Sequence, residues 1–307
     1  MKNQPLPRTA RTDGYAGLGD YAAIGDGRSV ALIAPDGAID WWCAPNMDSP
    51  PLFDRILDAK FGGYFQIEPV DDYCMQRQYR ENSNVLETCY TTKKGKVRFT
   101  ESLNSNNAGR LPWCELARRV EGLEGEVDLK LVFVPGTAAC TRSSWIGDSA
   151  KGQIVHVGDL MAMLRTTSDI EITCVDDQAI EGVFTAKAGS RSLVALLVSD
   201  NEPLAVPPLE KIDERIDVSD KNWASWAEHL SYEGVHKKHV VRSALALKFL
   251  LYSPTGALAA APTTSLPEGI GGEKNYDYRY AWIRDACLII RAFAFIGALE
   301  ECKAAFS

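Results

Sequence analysis

From about residue 20 to about residue 215, apolar and polar positions alternate with a period of two, in short runs. The runs are "SVALIAP", "AIDWWC", "GYFQIEP", "SNVLETCYTT", "GKVRFTESL", "WCELARRVEG", "EVDLKLVFVP", "QIVHVG", "MAMLRTT", "IEITCV", "IEGVFTA" and "SLVALLVSD". They are rich in Val, Ile, Thr and aromatics and are separated by Gly, Asp, Asn or Pro, which marks each as a strand with one buried face. Asp26-Gly27, Asp36-Gly37 and the glycine of "TKKGKV" are expected to turn hairpins, glycine supplying the positive φ of a tight turn. About a dozen strands without helical crossovers predict a mainly β region built as an antiparallel two-sheet sandwich.

The pattern then changes. Residues 202–234 open with three prolines and continue as a charged, helical stretch, which reads as a linker. Trp223 and Trp226 lie on one face of it and are expected to pack the helix onto a domain. After the linker the period becomes 3.6. "HKKHVVRSALALKFLLY" (236–252) predicts one helix and residues 282–300 a second, with a connection rich in Pro and Gly between them. The resulting division is a β-sandwich over 1–201, a linker with helix over 202–234, and an α-helical C-terminal part over 235–307. Two helices this apolar cannot bury their own surfaces, so the second domain is expected to be incomplete.

Composition narrows the function. The chain has 307 residues, 46% hydrophobic and 24% charged, which is globular. Net charge is −8, and basic residues are scattered or paired with acids, so nucleic acid is not an expected partner. No apolar stretch reaches the roughly 20 residues that span a bilayer, and the N-terminus lacks the apolar core of a signal peptide. No membrane partner is expected, and the location reads as cytoplasmic. Eight cysteines show no paired spacing and read as small buried apolar residues of a reducing compartment. His236 and His239 have ligand spacing, but with lysines between them they read as a solvated helix start, and no metal is expected.

The chemistry concentrates in "NYDYRYAWIRDA" (275–286), which precedes the last apolar helix. A pyranose needs an aromatic face for its C–H surface and a fork of charged groups for neighbouring hydroxyls, which both donate and accept. Arg284 and Asp285 supply a donor fork and an acceptor pair. Tyr278, Trp282 and Asp285 would share one face if the helix extended back that far. The residues serve equally well as an Arg/Asp capping network with aromatic core, and the chemistry alone leaves the two readings even.

The stretch "APTTSLPEGIGGEKNYDYRYAWIRDA" (261–286) resembles the signature of glycoside hydrolase family 15, the glucoamylase and trehalase-like enzymes. The segment "GLGDYAAIGDGRSVALIAPDGAIDWWCAPNMDSPPLFDRIL" resembles the β-sandwich that precedes the catalytic domain in the trehalase-like branch. The resemblance implies a super-β-sandwich followed by the first helices of an (α/α)6 barrel, here truncated, and inverting hydrolysis of an α-glucoside or α-glucan. It also implies that Arg284 and Asp285 grip the non-reducing glucose, that Trp282 contacts substrate, and that Tyr278 lies beside the reacting carbon. Tyr276, Ala281 and Ile283 depart from the family's usual Trp, Cys and Leu without removing a sugar-contacting group. Inversion needs two carboxylates about 6.5–9.5 Å apart. The family's two glutamates are expected beyond Ser307, so no catalytic residue is assigned within the chain. Glu268 is a poor substitute, and Glu300 and Glu301 read as a solvated helix face. No cofactor is expected, with dependence on phosphate or magnesium left open. Two alternatives also stay open: a non-catalytic β-sandwich module that binds carbohydrate or a partner, and a homo-oligomer in which apolar helix faces cover one another.

Overall fold

A computed structural model describes residues 6–7, 11–136, 144–176, 178–200, 203–266 and 272–306. Among these, 16 strands join into one hydrogen-bonded system that folds into two antiparallel layers. One layer runs Tyr73–Tyr79, Leu86–Thr92, Gly95–Leu103, Cys114–Val134, Arg191–Asp200, Leu160–Thr166, Gly152–Val157 and Ser144–Ser149, with Leu6–Pro7 at the far edge. The other contains Glu171–Val175, Ile180–Lys187, Tyr64–Pro69, Ala38–Cys43, Pro51–Phe53, Val30–Ile33 and Ala22–Gly25. The predicted sandwich is therefore present, and an α-helical part follows it.

The layers share a strand that the sequence divides wrongly. "WCELARRVEG" and "EVDLKLVFVP" are not two strands but the single 21-residue strand Cys114–Val134. Its first half pairs with Gly95–Leu103 and Arg191–Asp200, its second with Tyr64–Pro69 and Ile180–Lys187. The intervening glycines look like a turn but make a bulge: the register shifts between Gly122 and Glu124, and Gly125 has φ 57°. A Cβ on Gly122 would lie 2.0 Å from Lys187 O, so the bend needs glycine there.

Asp26-Gly27 and Asp36-Gly37 turn as expected, with φ 87° and 79° at the two glycines. The "TKKGKV" hairpin also forms, between Leu86–Thr92 and Gly95–Leu103, but Gly95 lies in the strand. Its small size serves a close approach instead, since a Cβ would meet Glu124 O at 2.3 Å.

Inside the sandwich, Phe53, Phe65 and Phe133 of one layer form an edge-to-face cluster, as do Tyr73, Tyr90 and Phe99 of the other. Along the shared strand Leu116, Arg118 and Val120 point inward, while Ala117 and Arg119 point outward, where the period of two puts them. Arg118 is fully buried. It pairs with Glu101 at 2.7 Å and donates to Phe65 O (3.2 Å) and Gly37 O (2.5 Å) of the opposite layer. This side chain staples the two sheets.

Helix α1 (Leu209–Glu228) lies on the outer face of the first layer. Ile212 and Ile216, one turn apart, pack on Ala117, Leu193, Ala195 and Leu197. Asp213 and Asp217, also one turn apart, clamp Arg119 at 2.7 and 2.8 Å. Trp223 and Trp226 both pack as expected. Trp223 meets Phe249 edge-on, and Trp226 Nε1 donates to Glu301 Oε1 at 2.8 Å.

The C-terminal part holds α2 (Lys237–Lys248), α3 (Ile283–Phe295) and α4 (Leu299–Ala304). The single helix expected over 282–300 is broken by Gly297, whose φ of 78° is the left-handed stop that glycine adopts without strain. That break turns α4 back onto the bundle and overturns the reading of Glu301. Glu300 is solvated, but Glu301 is buried, receiving Lys248 Nζ at 2.6 Å and the Trp226 indole. Burial pushes its carboxyl up, but the Lys248 and Trp226 bonds win and hold it below the ordinary value.

The cysteines also depart from expectation. Cys43 and Cys114 are buried, but Cys74, Cys174 and Cys287 are exposed, because their strand or helix phase points them outward. Cys140 and Glu268 lie outside the described residues. Among the described residues no helix is long and apolar enough to cross a membrane.

Candidate functional site

The dodecamer is not helical back to Tyr278. Helix α3 begins at Ile283, with Trp282 at its N-cap in extended conformation (φ −103°, ψ 123°), so the shared helix face expected for Tyr278, Trp282 and Asp285 does not form. Two bridges hold the preceding turn extended: Ala259 to Ala281 and Thr264 to Asp277. Ala261 N donates to Tyr278 O at 2.8 Å. Pinned in this way, the backbone takes the extended path rather than a helical turn, even though the local sequence permits a helix.

The rings nevertheless meet. Tyr278 and Trp282 stack with centroids 5.4 Å apart and planes 29° from parallel, and Tyr276 approaches Trp282 edge-on at 5.6 Å. Trp282 Nε1 donates to Asp277 O at 3.1 Å, which uses the indole's one polar group and leaves the stack an apolar surface. Tyr278 and Trp282 are half-buried, and Tyr276 and Tyr280 are exposed.

Arg284 and Asp285 form the second pair, with Nη2 to Oδ2 at 3.0 Å. The arginine side chain is 74% exposed, so this pair costs little to rearrange. Asp285 sits in the first turn of α3, where the helix dipole favours a carboxylate. The N-cap Trp282 makes no side-chain cap, so among the described residues the capping network that the sequence allowed is not made. The four residues chosen from the sequence thus fall into two pairs, a ring stack and an ion pair, neighbouring along the chain.

Asp277 and Arg279 are the residues that sequence reasoning passed over, although both lie in the same dodecamer. Arg279 holds the Asp277 carboxylate in a fork at 2.7–3.2 Å and reaches the sandwich through Ser49 O at 2.7 Å. Burial pushes the Asp277 carboxyl up, but the Arg279 bonds outweigh it and hold it below the usual range. Trp41 Nε1 adds a second tie, donating to Pro262 O at 2.8 Å.

Comparison with known proteins fits this arrangement. Residues 16–178 match the model of the family described as trehalase-like, N-terminal. Residues 234–307 match that of the glycosyl hydrolases family 15. The chain belongs to the trehalase-like branch of glycosyl hydrolase family 15. The first match covers most of the sandwich, and the second covers the residues of α2 to α4. A trehalase of Thermoplasma acidophilum is 37% identical over 274 residues, covering 88% of this chain and 46% of that protein. A trehalase of Thermoplasma volcanium is 35% identical over 293 residues, with 94% and 46% coverage. A trehalase of Mycobacterium tuberculosis is 31% identical over 310 residues, with 92% and 45% coverage. The chain spans about half the length of the curated relatives it matches. Among solved structures, a putative kojibiose phosphorylase from human microbiome aligns with 92% of this chain and 45% of its own, at 10% identity and a TM-score of 0.46.

Proposed function

We propose that Tyr278, Trp282, Arg284 and Asp285 form one wall of the glucose-binding subsite of an α-glucoside hydrolase that acts with inversion, and that trehalose is its substrate. The observation that carries this reading is the stacked Tyr278–Trp282 pair together with the Arg284–Asp285 pair, its arginine exposed, in the first turn of α3. The stack offers a flat apolar face to the C–H side of a pyranose. The ion pair offers donors and acceptors to two adjacent hydroxyls, and the exposure of its arginine lets the pair open to a ligand. The trehalase relatives support the choice of trehalose over maltose or dextrin.

Asp277 and Asp285 are both ion-paired to arginines, which suits recognition rather than proton transfer. The acid and the base of the inversion are therefore assigned to carboxylates other than those of this wall. We also place the division between sandwich, linker helix and helical domain at residues 201 and 234.

The test is Asp285→Ala in the full-length enzyme, with glucose release from trehalose, maltose and isomaltose as the readout. Losing one or two charge-assisted hydrogen bonds, at about 1.5–3 kcal/mol each, lowers kcat/KM by about ten- to ten-thousand-fold. Unchanged hydrolysis of trehalose by the variant removes the site assignment, and a preference for maltose removes the substrate assignment.

A further inference from the structure

Resting on the subsite reading above, we infer that Arg279 is a positioning residue that registers the aromatic wall against the β-sandwich, making the sandwich part of the framework of the site. Its guanidinium, on a side chain 11% exposed, divides its donors between two parts of the molecule. Nη1 donates to Ser49 O (2.7 Å) and Met47 O (3.4 Å) in the sandwich loop that follows Ala38–Cys43. Nε and Nη2 grip Asp277 at 3.0 and 2.7 Å. The carbonyl of that same Asp277 accepts the Trp282 indole, and the indole carries the Tyr278 stack.

The loop that receives Arg279 is itself well held. Asn46 N donates to Ser49 Oγ and Ser49 N to Asn46 O, Tyr252 OH donates to Asn46 Oδ1, and the Met47 side chain is buried with Val30, Phe249 and Ala259. With its donors committed in this way Arg279 is not available to a sugar, so its effect on binding is indirect. Ligand contacts need support to within about half an ångström, and a planar guanidinium serves two directions at once where an ammonium serves one.

The experiment compares Arg279→Met, Arg279→Lys, Asp277→Asn and the Arg279→Met/Asp277→Asn double variant with the wild-type protein. Near-UV circular dichroism reads the Tyr–Trp stack, tryptophan fluorescence titration reads the affinity for D-glucose, and far-UV circular dichroism reads folding. Arg279→Met is expected to lose the aromatic signal and to weaken glucose at least tenfold with the far-UV spectrum kept. The double variant is expected to be no worse than either single one, and Arg279→Lys to be intermediate. Wild-type near-UV signal in Arg279→Met, or full additivity in the double variant, overturns the inference. Should Arg279→Met fail to fold, Arg279→Lys and Asp277→Asn carry the same two readouts. Trp282→Ala separates the two readings: glucose affinity unchanged in that variant removes the subsite, while the near-UV signal of the Arg279 variants still decides whether Arg279 holds the rings.

Discussion

Glu101→Gln tests how the sandwich is held together. Glu101 and Arg118 are almost completely buried, and Glu101 Oε1 accepts from Arg118 Nη2 at 2.7 Å and Nε at 2.9 Å. Replacing the carboxylate with an amide keeps the volume but leaves the guanidinium charge uncompensated between the sheets. Breaking one side of a buried pair costs about 3–5 kcal/mol. Arg118 keeps its bonds to Phe65 O and Gly37 O and its place over the Phe65 ring, which puts the cost near the lower end, about 3 kcal/mol. At a urea slope of about 2–3 kcal/mol/M the unfolding midpoint falls by about 1–1.5 M. Arg118→Met/Glu101→Leu removes both charges and is expected to recover at least half of that loss, since the penalty in the single variant is the unpaired charge. Equilibrium urea unfolding at pH 7, followed by tryptophan fluorescence, makes the comparison. A midpoint for Glu101→Gln within about 0.3 M of wild type, or a double variant worse than the single, would refute the view that Arg118 is an ion-paired staple.

Further outcomes follow from the same structure. Burial pushes the Asp217 carboxyl up, but its bonds to Arg119 and Arg80 prevail and hold it at about 2, below the ordinary 3.8. A depressed carboxyl stabilises the fold above the unfolded value and loses that contribution as pH falls through the folded one. The thermal midpoint of Asp217→Asn should therefore lie below wild type at pH 5–7 and converge with it between about pH 4 and pH 2; a gap that stays constant refutes the clamp. The Asp217 side chain is 46% exposed, so solvent screening reduces the effect to about 1 kcal/mol. Gly37→Ala places a Cβ 2.4 Å from Ile67 O at a backbone φ of 79°. It is expected to cost at least about 2 kcal/mol in urea unfolding, and a loss under about 0.5 kcal/mol would mean that this turn tolerates a side chain.

How much was legible in the chain depends on how far apart the cooperating residues lie. The period of two named eleven of the sixteen sandwich strands, because alternation reports only on which side of a strand is wet; it passed over Leu6–Pro7, Ala22–Gly25, Pro51–Phe53, Tyr73–Tyr79 and Ser144–Ser149. The family was legible from "NYDYRYAWIRDA" for a related reason, since the groups of the proposed wall lie within a dozen consecutive residues. The same locality misled where one local signal has two tertiary outcomes. "EGLEGE" reads as a turn, and only pairing with strands from both layers makes it a bulge in one long strand. Glu301 follows Glu300 in sequence, yet Gly297 swings α4 so that one carboxylate meets solvent and the other meets Lys248 and Trp226.

The sequence by itself determined most of the strands, the turns at Gly27 and Gly37, the change to helical periodicity after the linker, and the residue types at the candidate wall. Tertiary structure alone decided that Arg118 joins the two sheets, that α1 covers one of them, and that Arg279 reaches Ser49 across a separation of 230 residues. Alternation and motif spacing are properties of neighbours along the chain. A guanidinium finds a carbonyl 230 positions away only because the hydrophobic packing of separate elements has already brought the two backbones within hydrogen-bonding range, and no local pattern encodes that docking.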